Sequence, residues 1–154
     1  MDFPTCYLLQ GLSEEKLKRF AAITHETVMS KEQWIYHEND RAERVFILKT
    51  GIVELVTLVD SYLELPVSII RSPGDCFGTS SLIEPHLYSL SARCQEDGTV
   101  LAVDRYDLRK LMDEDREIGC VIMTNLAEHL LSRLKETRQE LKLHFKNLLK
   151  FMHS

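Results

Sequence analysis

No run of eighteen consecutive apolar residues occurs in this chain, which argues against a membrane-spanning helix. The opening MDFPTCYLLQGLSEEKLKRF also lacks the basic start and unbroken apolar core of a secretory signal. A cytoplasmic protein is the expectation. Glycine and proline are scarce, six and four in 154 residues, and no low-complexity or repeated segment interrupts the sequence. Cysteine is equally sparse. The four cysteines, at 6, 76, 94 and 120, fall in no C-x-x-C or other metal-ligand spacing. They read as separate, reduced, semi-buried small hydrophobes rather than a disulfide framework.

The composition is 44% apolar and 28% charged, enough to build one compact domain over residues 1–154. The net charge of −5 is unevenly spread: residues 133–154 hold six Lys/Arg against two Glu, leaving thirteen basic and twenty-two acidic residues before them. Cations near a helix C-terminus are favoured by its dipole, and an acidic whole argues against free-standing nucleic-acid binding.

Ser13 followed by Glu14 and Glu15 is an N-cap with an acidic first turn and predicts a helix over about 13–24, closing an N-terminal segment 1–24. Over 25–103 the rhythm changes to short runs rich in Val, Ile, Tyr and Phe at 34–37, 45–48, 52–58, 65–70, 88–94 and 100–103. Turn chemistry separates them (ENDRAE, KTG, VDS, RSPGD, EDG), as in a β sandwich or roll. From 104 to 154 the period is helical, with one segment from about 115 to 152 free of Gly and Pro after Gly119. Leu126, Leu130, Leu134, Thr137, Leu141, Phe145, Leu148 and Met152 recur every three or four residues and make a continuous stripe. Such a helix is about 55 Å long, more than its own domain can cover. The expected partner is a second copy, in a coiled-coil-like homodimer seam through Leu126, Leu130, Leu134, Thr137, Leu141 and Leu148. The alternative is a stripe folded back on its own roll.

The order helix, β roll, short helix, long helix resembles the cyclic-nucleotide-binding domain of the cyclic-AMP receptor and fumarate-nitrate regulator family. NDRAERVFILKTGIVELV (39–56), with Gly51 at a hairpin, and SPGDCFGTSSLIE (72–84) carry the likeness. The resemblance implies a β jelly roll (double-stranded β-helix) with a short N-terminal helix, a long C-terminal dimer helix and a ligand-sensing role in signal transduction. It places a phosphate-binding cassette at Phe77, Gly78, Thr79, Ser80 and Ser81. Small residues after a turn let backbone N–H groups approach an anion, independent of family.

In that family a glutamate for the ribose follows Phe-Gly, and an arginine for the cyclic phosphate comes nine or ten positions later. Those places hold Thr79 and Tyr88, the latter followed by Ser89. The frame matches and both charged contacts are missing, so weak or no cyclic-AMP binding is expected. Arg93 lies at opposite strand parity to Tyr88 and is expected to point outward. His86 is a candidate cassette contact. Thr137 and Arg138 align with polar groups that the family presents to the purine; Arg138 reads as a solvated flank.

No cofactor is certain. A cyclic nucleotide reached through divergent contacts, haem held by His86, Cys76 or Cys94, or another small ligand are the alternatives. A cupin-like metalloenzyme needs a His-x-His pair, which none of the six histidines provides, so an enzyme is not expected. Regulators of the family carry a helix-turn-helix domain after the long helix, which this sequence lacks; direct DNA binding by this chain alone is not expected.

Overall fold

The computed structural model describes residues 3–154. The first two residues of the 1–24 segment therefore lie outside the described residues. After a 3-10 turn at Tyr7–Leu9, helix α1 spans Glu14–Ala21, and the Ser13 hydroxyl accepts from the Lys16 N–H at 3.3 Å as its cap. The helix stops short of residue 24 because Thr24 already opens a strand, its hydroxyl donating to the Ala21 carbonyl at 2.8 Å.

Six strands follow among the described residues, but they are not the six runs read from sequence. β1 (Thr24–Met29) falls in none of those runs because four of its six residues, HETV, are exposed and show no apolar alternation. β2 (Trp34–Tyr36) and β4 (Glu64–Ile70) match predicted runs. β3 (Arg44–Leu58) fuses two of them and β6 (Ser91–Asp104) fuses two more, while the two-residue β5 (Cys76–Phe77) lies between β4 and β6.

The two long strands pair antiparallel from Arg44 opposite Asp104 to Val56 opposite Ser91. One end of the pair carries β1 on β6 and β5 on β3; the other carries β2 on β6 and β4 on β3. KTG and EDG, predicted as turns, lie inside this ladder where its register slips between Leu48 and Val53. Gly51 is therefore not at a hairpin tip but at a bulge with φ +91°. A Cβ on Gly51 would lie 2.8 Å from the Glu96 carbonyl oxygen, and one on Gly98 would collide with the Thr50 carbonyl. The two glycines let both strands bend together, and the bend turns a flat ladder into the two layers of a jelly roll.

Both faces of the long strands are covered, which is why they read as unbroken apolar runs. Val45, Ile47, Leu101 and Val103 face a helical layer with Leu8, Phe20, Leu108 and Ile122. Their neighbours Phe46, Leu48, Val100 and Ala102 point the other way, into the roll, with Tyr36, Phe77 and Tyr88.

Helix α2 (Arg105–Glu114) is capped by Asp104 and helix α3 (Arg116–Met152) by Asp115, whose carboxylate accepts from the N–H groups of Glu117 and Ile118. Asp115 also pairs with Lys16 at 3.2 Å and Arg19 at 3.0 Å, which fastens α1 to the base of α3. In α3 the side chains of Ile118, Ile122 and Leu126 are buried in the chain's own core. Leu126, at 1% exposure, has no surface left for a second copy and is removed from the expected seam. Leu130, Leu134, Leu141 and Leu148, at 45%, 54%, 56% and 54%, remain uncovered.

Candidate functional site

β5 runs through Phe77 into Gly78, which takes the left-handed conformation (φ 72°, ψ 21°) and starts a 3-10 turn at Thr79–Leu82. A side chain on Gly78 would press on the Arg44 carbonyl oxygen at 3.1 Å and on the rings of Phe46 and Tyr88, so only glycine lets the cassette close onto the roll. The turn lies against a cavity of about 370 Å³ between the open end of the roll and α3. That volume is within the range of small-molecule pockets, about 300–1,000 Å³.

Phe77, Gly78, Thr79, Ser80, Tyr88 and Ser89 line this cavity. The hydroxyls of Ser80 and Ser89 meet at 3.3 Å. The Tyr88 ring stacks on Tyr36 with centroids 3.6 Å apart. Its hydroxyl donates to the Arg44 carbonyl at 3.1 Å and accepts from the Arg44 N–H at 3.3 Å. Burial pushes the Tyr88 phenol above its usual pKa, so a neutral ring occupies this wall. No acidic residue stands in the first turn of the cassette.

Three expected contacts sit elsewhere. A 3-10 turn advances about 120° per residue, so Thr79 and Ser80 face the cavity while Ser81 turns back. Ser81 is buried at 1% exposure and lines a separate hollow against α2. His86 stands in that same hollow, its Nδ1 2.9 Å from the Ser81 carbonyl oxygen. Thr137 is exposed and does not border the cavity within one chain. Tyr88 lies before β6, so no strand parity links it to Arg93. Arg93 instead points away from the roll core that holds its strand neighbours Ala92 and Cys94, and pairs with Glu64 at 2.9 Å and Glu54 at 3.3 Å beside the Trp34 ring. The three haem candidates are scattered: Cys76 borders the main cavity, Cys94 a second and His86 a third.

Sequence reasoning missed the α3 wall. His129, Arg133 and Glu136 all line the cavity, and their i, i+4, i+7 spacing puts them on one helix face beside the leucine stripe. That spacing was the available signal. His129 stacks on Tyr7 at 4.1 Å, and burial together with the Arg133 cation holds its imidazole below the usual range. Arg133 is the arginine among the described lining residues, paired at 3.3 Å with the Glu136 carboxylate, and Asp75 adds a second carboxylate to the lining. Among the described residues no group of three or more His, Cys, Asp or Glu is disposed to hold a metal, and no helix is long and apolar enough to cross a membrane.

A family model described as "Cyclic nucleotide-binding domain" matches residues 26–115. The chain is 25% identical over 136 residues to the anaerobic regulatory protein of Bacillus subtilis, covering 88% of this chain and 56% of that protein. It is 27% identical over 136 residues to the cyclic AMP receptor protein of Thermus thermophilus, covering 88% and 61%. The crystal structure of the Thermus thermophilus catabolite activator protein superposes with a TM-score of 0.76 at 26% identity, over 89% of this chain and 62% of that one. The chain thus spans 56% and 61% of the length of the two curated relatives, less than two thirds of either.

Proposed function

We propose that this chain, which belongs to the cyclic nucleotide-binding domain family, is a cytoplasmic, non-enzymatic ligand-sensing domain that does not take cyclic AMP or cyclic GMP in the family's usual way. The observation that carries the reading is Tyr88. It stands where the family's phosphate-binding arginine is expected, stacked on Tyr36 and tied through its hydroxyl to the Arg44 backbone. Thr79, in the place of the ribose-binding glutamate, offers a hydroxyl and no charge.

A guanidinium–phosphate fork is a charge-assisted, bidentate contact, and its loss from a partly buried site costs about 2–5 kcal/mol. Micromolar affinity then falls toward millimolar, since each 1.4 kcal/mol is tenfold. Calorimetry on the wild-type protein at neutral pH is expected to give dissociation constants weaker than about 100 μM for both cyclic nucleotides. A constant of a few micromolar or below overturns the reading.

That opposite outcome belongs to a second reading, a cyclic-nucleotide binder with divergent contacts, which Arg133 favours. It brings a cation to the same cavity from the helix side. If tight binding is found and Arg133→Ala removes it, this second reading replaces the first.

The domain is further proposed to work as a homodimer through α3 and to bind no specific DNA by itself. The basic residues of α3 line the flanks of one helix on an acidic protein. Any duplex binding is expected to be sequence-blind and lost at moderate salt. A salt-resistant, sequence-selective shift in a gel assay is the contrary result.

A further inference from the structure

Cys6 and Cys76, seventy positions apart in the chain, meet with their sulfurs 2.7 Å apart. Both are free thiols and both are buried, at 4% and 8% exposure. Neither other cysteine shares the site: Cys94 is hydrogen-bonded to the Glu96 carbonyl, and Cys120 is exposed on α3. Cys6 precedes the Tyr7–Leu9 turn, and Cys76 opens the short strand that leads into the cassette.

We propose that Cys6 and Cys76 form a redox-modifiable pair, which a peroxide-class oxidant converts into an intramolecular disulfide tying the N-terminal segment to the cassette strand. Cys76 borders the ligand cavity, which gives a small oxidant a route to the pair. The hydrogen bond from Cys76, helped by the backbone at Leu8 and Leu9, holds the Cys6 thiol below its ordinary range, while the same bond and burial push Cys76 well up. Cys6 is therefore the nucleophile. Its thiolate attacks one peroxide oxygen, the O–O bond breaks, and the released hydroxide takes up the proton Cys6 had given off. The Cys76 thiol then displaces the oxygen of the Cys6 sulfenic acid as a second water. Two thiols lose two electrons and two protons; one peroxide becomes two waters.

The bond would close a mechanical circuit around the cavity. The N-terminal segment is already fixed to α3, because the Asn125 amide donates to the carbonyls of Leu8 at 3.0 Å and Gln10 at 2.9 Å, and Tyr7 stacks on His129. Oxidation would fasten the other end of that segment to the strand carrying Phe77 and Gly78. The covalent step does not depend on which ligand the cavity takes.

The test is thiol counting and non-reducing peptide mapping of the wild-type protein after stoichiometric hydrogen peroxide. The expected result is loss of two of the four titratable thiols and a Cys6–Cys76 cross-linked peptide two hydrogens lighter than its parts. Dithiothreitol should restore all four thiols, and the oxidised form should melt at a higher temperature. Cys76→Ser should form no cross-link, and its Cys6, with no second thiol to resolve it, should be trapped as a sulfenic acid by dimedone. Four free thiols after oxidation, a link involving Cys94 or Cys120, or over-oxidation at Cys6 without a cross-link would overturn the proposal; none of these readings needs a variant to fold.

Discussion

Replacing Leu130, Leu134 and Leu141 together with glutamine is expected to turn a dimer into a monomer at tens of micromolar protein, with little change in helical content. All three side chains are about half exposed in a single chain, as are Phe145 and Leu148 further along α3. A row of this kind on a helix of 37 residues leaves apolar surface that its own roll does not reach. If a second α3 covers it, each buried leucine contributes about 1.5–3 kcal/mol. Three changes on each of two chains then remove more than an ordinary micromolar association holds, about 8 kcal/mol. Within one chain the same positions are surface positions, where substitutions usually move stability by about 0.5 kcal/mol or less. Sedimentation should show the loss of mass while circular dichroism shows a retained fold. A wild-type monomer at tens of micromolar would remove the dimer from the proposed function. Leu126→Gln is the contrasting substitution: its side chain is in the core with Leu8 and Ile122, and it should lower the melting temperature rather than only dissociate subunits.

The second large effect is expected from restoring charge to the cassette. Thr79→Glu with Tyr88→Arg should tighten cyclic-AMP binding about a hundredfold or more over wild type, since a charged contact to phosphate in a partly buried site is worth about 2–5 kcal/mol. The gain should exceed the sum of the single changes, because the two groups hold opposite sides of one ligand. Tyr88→Arg alone carries a cost, as it gives up the stack on Tyr36 and the hydroxyl's contacts to the Arg44 backbone. Calorimetry on the wild type, both single variants and the double variant forms the cycle, with thermal melts as the control for folding. A folded double variant that binds no better than wild type would mean that the shape of the cavity, rather than its missing charges, keeps the nucleotide out.

Helices are legible in the chain where their signals are local. Ser13, Asp104 and Asp115 each cap a helix that begins at the next residue, and the absence of Gly and Pro after Gly119 lets α3 run on to Met152. The cassette is legible as a frame for the same reason, since Gly78 and the small residues after it make a turn within a few positions. β1 is not legible: a polar edge strand is held by its ladder to β6 and shows no apolar alternation of its own. Ser81 lies close in sequence to residues of the cavity wall and still leaves it, because the 3-10 turn carries it onto the opposite face, where His86, beyond the turn, meets its carbonyl oxygen.

The residues alone determined the coarse order of helix, β roll, short helix and long helix, the stripe along that last helix and the absence of charge at positions 79 and 88, because each depends on side chains within about one turn or one strand of each other. Only the tertiary structure decided that KTG and EDG are bends in two continuous strands, that Leu126 belongs to the core, that Arg133 and His129 wall the cavity, and that Cys6 touches Cys76. Each of these joins segments tens of residues apart. Such contacts follow from how the roll closes against the helices, and no local spacing in the chain encodes the distance across that closure.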